Sequence, residues 1–600
     1  MKFGSQLKDA LKALGLGAPK RHEPSELASG GVRPGPLAPN DNPAPRPPGR
    51  PQPEVRRELP QLRRASPAPT QHRPMPGSSR PATPPPAARK PSVGVRPLPP
   101  VAEPPRPVTR LARIDTFRPH PLFQDDPGDD AGLPALANRG IERQLNANPD
   151  NETDLIIGLD FGTSATKVVI RDPFAATGVF PVRLNGGRPG IDGHLLPSRV
   201  FRTGDAYSLT QGTHRITDLK LRLLACKAKS PVTEFNDCCA FLAFVIRRAR
   251  GWLLSEQKDI YGKHALNWRL NLGLAARSYQ DGDTVTLFRR LAWAAANLAA
   301  DPEAESITVQ KADQYRLESL AVSAGSASEG VEFGWADVDA VPEVSAQLQG
   351  FMSSARWDWR SRPVMMLVDV GAGTVDSALF HVQVPQDGNG VLTFYSSRVD
   401  SNGAMNLHRA RVDWLQALMP VGSEHAEAAE YLAAIANPTD RLRPIPESVR
   451  DYLPGYEIEV VGKSIDEDFG TGRYRTQVAG SINDAKVGKG IPASQLVRVP
   501  LLLCGGGSRM QLYGGIGDAI NVTPGWHVSV ELMRLPVPQD LVDTGWHADD
   551  FDRLSVAYGL SLAGNGETTL GRIVRAIDVP DVQPYRPPKR EENYVSKDQM

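Results

Sequence analysis

Two stretches of this chain place an aspartate at the end of an apolar strand and follow it at once with a small-residue turn. Residues 159–170 read LDFGTSATKVVI, and residues 367–379 read LVDVGAGTVDSAL. A glycine turn lets backbone N–H groups approach an anion, because glycine has no Cβ and can adopt positive φ. A strand-end aspartate is a hard oxygen ligand that can hold a hydrated divalent cation. Asp160 and Asp369 are therefore candidate Mg²⁺ ligands. Gly162, Thr163, Ser164 and Lys167 in the first run, and Gly371, Gly373 and Thr374 in the second, are candidate phosphate ligands. A third run, PLLLCGGGSRM at 500–510, ends a strand in Gly505, Gly506, Gly507 and Ser508, with Arg509 next. Three glycines let a flat ring lie against backbone, and the Arg509 guanidinium can stack on such a ring. The three runs together suit a purine nucleoside triphosphate gripped from two sides with Mg²⁺ between.

These runs resemble the phosphate-1, phosphate-2 and adenosine motifs of the actin, sugar-kinase and DnaK-type chaperone ATPase superfamily. Residues 340–348, AVPEVSAQL, stand where that family has its first connecting helix. Residues 555–564, SVAYGLSLAG, are similar to the second, with Ala557 and Gly559 small enough for two helices to cross closely. The resemblance spans about residues 154–565. It implies an α/β protein with a two-lobed actin-like ATPase fold, made of duplicated ribonuclease-H-like lobes, that binds ATP and Mg²⁺.

The resemblance also implies roles. Glu343, 26 residues before Asp369, would orient or deprotonate the attacking water, although the family's Glu-Pro order is replaced by Val-Pro-Glu here. Lys220 would reach the γ-phosphate and stabilise charge that develops there, with Arg222 and Lys227 as alternatives. Asp369 would serve both metal and chemistry. Asp376, the family's second aspartate, would support the hairpin rather than touch metal. Lys220 and the 266–300 segment point to the chaperone branch, and so to a nucleotide-dependent switch acting on a partner protein. Only 34 residues follow Gly566, too few for the peptide-binding domain and lid of those chaperones. The alternatives are a cytomotive filament, a non-hydrolysing ATP-binding scaffold, and a small-molecule kinase, the last without an acceptor-aspartate signature.

The elements that must position these residues alternate strand and helix, as α/β layers do. A hairpin is expected at 154–169, helices at 217–227, 239–255, 287–300 and 407–418, and strands at 268–275 and 391–397. Lobe I would occupy 151–362 and lobe II 363–566, with a polar, helix-poor insert at 420–497 and a tail at 567–600. Ahead of them, residues 1–118 carry a net charge of +13, so the remainder carries −12 of the chain's +1. Thirty of the 55 prolines lie in residues 1–128. A segment so poor in aromatics and β-branched residues cannot offset its ordering entropy, so 19–150 is expected to be a disordered tail with polyproline-II stretches such as 81–88. It reads as a spacer or as an arm for a protein partner. No aromatics interleave its basic residues, so nucleic acid is not expected. Residues 1–18 have apolar positions at helical spacing and three lysines elsewhere on the wheel. Such a helix docks on a partner, lies on a membrane surface, or folds back on the body. The four cysteines form no CxxC pair and read as reduced thiols of a cytoplasmic protein. No apolar run approaches the ~18 residues of a membrane span, and no signal-peptide pattern opens the chain.

Overall fold

The computed structural model describes residues 109–123, 138–141, 147–175, 178–226, 232–275, 281–326, 330–352, 364–383, 390–436, 444–488, 491–541, 545–562 and 570–575. The expected helix at 1–18 and the tail up to residue 108 lie outside the described residues.

The described chain opens with strand β1 (Arg110–Arg113). Next come β2 (Asn148–Phe161), β3 (Ala165–Arg171), β4 (Val179–Pro181) and the short β5 (Leu196–Pro197). A small sheet of β6 (Val200–Thr203), β7 (Ala206–Ser208) and β8 (His214–Ile216) leads to helix α1 (Leu219–Ala225). Helix α2 (Val232–Glu256), β9 (His264–Leu274), α3 (Gly282–Ala300), α4 (Val309–Ser323) and β10 (Val338–Pro342) complete the first half. Strands β10-β9-β2-β3-β4 lie in that order, with β5 on β3. β2 is antiparallel to β3 and β3 to β4, whereas β2–β9 and β9–β10 are parallel.

Helix α5 (Glu343–Met352) crosses into the second half, which begins with β11 (Val364–Val370), β12 (Val375–Gln383), β13 (Gly390–Asp400) and α6 (Ala404–Leu418). Helix α7 (Ala426–Ile435), β14 (Tyr456–Glu459), α8 (Arg475–Asn483), β15 (Val499–Cys504), β16 (Val530–Met533), α9 (Ser555–Leu562) and β17 (Leu570–Arg575) follow. The second sheet runs β16-β15-β11-β12-β13-β17. Again the first strand is antiparallel to the second and the second to the third, and the two strands on the other side are parallel. Apart from β5 and β17, the two sheets repeat one strand order and one set of directions.

Central strands β2 and β11 are continuous apolar runs because both faces are covered. Leu155, Ile157 and Leu159 join Phe241 and Trp293 in one core, and Met366, Val368 and Val370 join Leu407 and Val412 in another. A third core joins the halves: Val169 and Val179 meet Leu348, Leu367, Phe380, Leu502 and Tyr558. Within it α9 crosses α5 so closely that a Cβ at Gly559 would overlap the Ala346 carbonyl. Gly559 thus serves the close helix crossing, whereas the Ala557 carbonyl lies against β2, where a Cβ at Gly158 would overlap it. Among the described residues no helix is long and apolar enough to cross a membrane.

Several boundaries differ from the sequence reading for identifiable reasons. The first connecting segment is strand up to Pro342 and helix only from Glu343. Helix α2 starts at Val232, ahead of the expected 239, and takes in Asp237, which accepts from the Tyr207 hydroxyl at 2.8 Å and pairs with Arg222 at 3.2 Å. The 420–497 insert is not helix-poor, since α7, α8 and two π-helical turns, Asp468–Tyr474 and Asp484–Gly488, lie in it. Residues 570–575, expected to be tail, form β17 on the edge of the second sheet.

The tail expectation is corrected most at 109–123. β1 pairs antiparallel with β14, and Leu111, Phe117 and Phe123 are buried. Phe117 meets Tyr431 at 5.3 Å between ring centroids, and Phe123 meets His408 at 5.2 Å and Tyr452 at 5.5 Å. Phe117 and Phe123 fasten the strap together with the β1–β14 pairing, because each removes a large apolar area from water. Phe123→Ala should cost about 3 kcal/mol of unfolding free energy in urea denaturation, as a core Phe truncation does. A change under about 0.5 kcal/mol would show that the strap does not belong to the folded core.

Candidate functional site

The β2–β3 and β11–β12 hairpins end in turns that face each other. A Cβ at Gly373 would lie 3.4 Å from Thr163 Oγ1 and 3.2 Å from Leu221 Cδ1. The third turn is brought in by β15, whose parallel register sets Cys504 beside Asp369. Gly505 then takes φ 82° and presses on Asp369 Oδ1 and the Val370 carbonyl, a position with no room for a side chain. All three turns open on one cleft of about 1210 Å³. That exceeds the ~300–1,000 Å³ usual for a single small-molecule pocket.

Of the residues singled out in the sequence, Asp160, Gly162, Thr163, Ser164, Lys167, Lys220, Glu343, Asp369, Gly371 and Thr374 line this cleft, as do Gly505, Gly506, Gly507 and Arg509. Gly373 and Ser508 do not. Gly373 is buried in the contact between the two turns, and its carbonyl accepts from Asn406 Nδ2 at 2.6 Å. Ser508 turns back to donate to the Gly505 carbonyl at 2.7 Å. Arg509 is not free to stack on a ring in this arrangement. It pairs with Asp550 at 2.8 Å and Asp552 at 2.9 Å.

The hairpin registers decide the electrostatics. Asp160 sits opposite Lys167, and the two form an ion pair at 2.8 Å. The matching position of the second hairpin is Asp369, and opposite it stands Asp376, a second carboxylate. Helix α5 adds a third, because Glu343 at its first position reaches Lys220 Nζ at 2.5 Å. Lys220 is buried, and although burial lowers its pKa, the Glu343 carboxylate, with Asp160 and Asp376 beyond, holds it above the usual lysine range. One turn along α5, Gln347 donates to Asp369 at 2.6 Å.

Two lysines do not balance this group. Burial, then the nearby Glu343 and Asp160, push the Asp369 carboxyl up to about 7, against the Gln347 hydrogen bond and Lys167. Burial, Glu343 and Asp369 raise Asp376 well above the carboxylate range, and its Oδ1 is buried with no hydrogen-bond partner. Asp376 lines the cleft while its side chain also hydrogen-bonds to Thr374 of its own hairpin turn. Gln347 Oε1 is also buried and unpartnered. Among the described residues no three of His, Cys, Asp and Glu converge tightly enough to ligate a metal directly. Excess buried negative charge with orphaned oxygens fits a cation held through water, as Mg²⁺ prefers.

Sequence reasoning missed Gln347 and Arg553, which lines the cleft beside Gly506, and gave Asp376 no part in the cleft. Gln347 was detectable as the residue four after Glu343, on the same helix face. The helix-start residues Ala404 and Met405 were missed as well. They donate to the carbonyls of Gly371 at 3.0 Å and Ala372 at 2.8 Å and so brace the second turn.

Neither a protein-family model nor a curated protein matches the chain.

A carboxyl whose folded pKa lies above its unfolded value binds its proton more tightly when folded. It therefore lowers stability as pH rises from about 4 to about 7 and contributes its full penalty above that range. Asp369→Asn should flatten thermal stability across this window in metal-free buffer. At pH 8 it should raise stability by on the order of 1–2 kcal/mol, since water in the cleft screens part of the penalty. Equal pH profiles for the variant and the parent would refute the crowding of charge at this position.

Proposed function

We propose that this chain is a two-lobed actin-like ATPase of the DnaK-like kind. It would bind ATP with Mg²⁺ between its two hairpin turns and act as a nucleotide-dependent switch on a partner protein. The observation that carries the reading is the repetition: two sheets with the same strand order each deliver an acidic turn, from the same strand pair, to one shared cleft. The Gly505–Gly507 turn, on the strand next to β11, supplies the flat backbone surface for the base. That arrangement supports the family resemblance of the three motifs independently of their sequences.

Asp160, Asp369 and Asp376 would hold Mg²⁺ through its waters, and the ion would supply charge compensation to the β- and γ-phosphates. The backbone of residues 162–164 and 371–374 would donate to phosphate oxygens, with Thr163 and Thr374 adding hydroxyls. Glu343, at the start of α5, faces the same space as Asp369 and is the group able to orient or deprotonate a water there. Lys220, now paired with Glu343, would turn to phosphate when one arrives, which frees the Glu343 carboxylate to accept a proton. The α5/α9 crossing lies in the layer between the halves, so any closure of the cleft would pivot on it.

Two measurements test this. MgATP should raise the thermal midpoint of the parent, and the Asp160→Ala/Asp369→Ala double variant should lose that rise. An equal rise in both would place the nucleotide elsewhere. Glu343→Gln keeps a hydrogen-bonding partner for buried Lys220, so it should retain ATP affinity while kcat falls about 100-fold or more. Unchanged turnover in that variant would remove Glu343 from the mechanism, and absence of turnover in the parent would favour the ATP-binding scaffold.

A further inference from the structure

We infer that Arg553 is a phosphate-binding residue of the cleft and that Asp192, which lines the same cleft from the first half, is a carboxylate that competes with phosphate for it. The inference rests on the nucleotide reading above and adds a residue that none of the three motifs contains. Arg553 ends the 3-10 turn Ala548–Arg553, just before α9. Its guanidinium lies over the adenosine-side turn, where a Cβ on Gly506 would sit 3.1 Å from Arg553 Cζ. Asp192 comes from the turn Gly190–His194 of the first half, and both residues line the cleft.

The other cations that line the cleft are committed. Lys167 holds Asp160, Lys220 holds Glu343, Arg398 holds Asp484 and Arg509 holds Asp550 and Asp552. Arg473 lies over the Phe469 ring at 5.5 Å. Arg553 differs: among the described residues it has no hydrogen-bond acceptor, only the longer-range attraction of Asp552, Asp192 and Asp550. Asp552 already serves Arg509. Burial and the neighbouring Arg509 pull the Arg553 pKa below the ordinary guanidinium range despite those carboxylates.

A guanidinium stays charged in proteins, so an under-compensated one at a cleft wall is a standing demand for an anion. Its planar fork matches two phosphate oxygens at once, whereas a purine edge offers only neutral acceptors. Beside a glycine turn that would take adenosine, the anion within reach is a phosphate of the same nucleotide. Asp192 then has a defined effect. It attracts Arg553 in the empty cleft and repels incoming phosphate, so it weakens binding on both counts.

The test is calorimetric titration of the full chain with ADP, adenosine and inorganic pyrophosphate in Mg²⁺. Arg553→Gln should weaken ADP and pyrophosphate about tenfold or more and leave adenosine unchanged, as expected for loss of a charge-assisted bidentate contact. Asp192→Asn should tighten ADP and pyrophosphate. Arg553→Lys, which keeps the charge and loses the fork, should fall between parent and glutamine variant, and it serves in place of Arg553→Gln should that variant fail to fold. Equal weakening of adenosine and ADP would assign Arg553 to the base and overturn the inference. Unchanged ADP affinity in the arginine variants, or weaker binding in Asp192→Asn, would also overturn it. A parent that binds pyrophosphate through Arg553 but not ADP would sink the nucleotide reading while leaving this one standing. A parent that binds neither would end both.

Discussion

Negative charge crowded at the floor of the cleft is the constraint on which the rest of the structure turns. Asp160, Glu343, Asp369 and Asp376 come from four separate strands or helices, yet each senses the others strongly enough to be raised by them or to raise them. Two ion pairs, Asp160–Lys167 and Glu343–Lys220, meet only half of this demand. The imbalance has a simple origin in register. The first hairpin sets a lysine opposite its aspartate, and the second sets another aspartate. Like charges cannot both remain ionised cheaply at low dielectric, so the protein stores a cost that a bound cation would relieve.

The scaffold that holds these groups together is a layer between two repeated sheets. Helix α5 leaves the first sheet with Glu343 and Gln347 directed at the cleft, and α9 returns to lie on the first sheet, where Asn271 of β9 donates to the Leu560 carbonyl at 2.9 Å. Neither helix could approach so closely with larger residues at the crossing. Helix α6 extends the same mechanics outward. Its first turn braces the Gly371–Gly373 carbonyls, its middle places His408 against Phe123, and Arg411 ties it to Asp466 and to the carbonyls of Pro446 and Glu447. The strap at 109–123 is thus joined to the Gly371–Thr374 turn by one helix.

Much of this was legible in the chain alone, and for local reasons. An aspartate followed by a glycine turn between apolar runs can be little else than a tight hairpin, so both hairpins stand where the sequence places them. Continuous apolar strands, alanine-rich α3 and the small residues of α9 are likewise set by neighbours a few residues away. Most of the turn and strand-end residues expected at the cleft follow, because the direction of each hairpin strand carries them there.

Tertiary structure alone decided the rest. Whether Lys220 meets Glu343, 123 residues on, depends on how two sheets pair around a shared layer, and no local pattern encodes that distance. Arg509 looked like a free ring-stacking group until Asp550 and Asp552 came beside it, and Arg553 carried no signal until Gly506 lay beneath it. The strap shows the same limit from the other side. Proline-rich composition argues against a core of its own, yet Leu111, Phe117 and Phe123 are buried against residues more than 280 positions away. Sequence determined which groups could do chemistry and which strands would carry them. The fold decided which charges would meet, because electrostatic energy depends on distances in space that the chain closes only when it is folded.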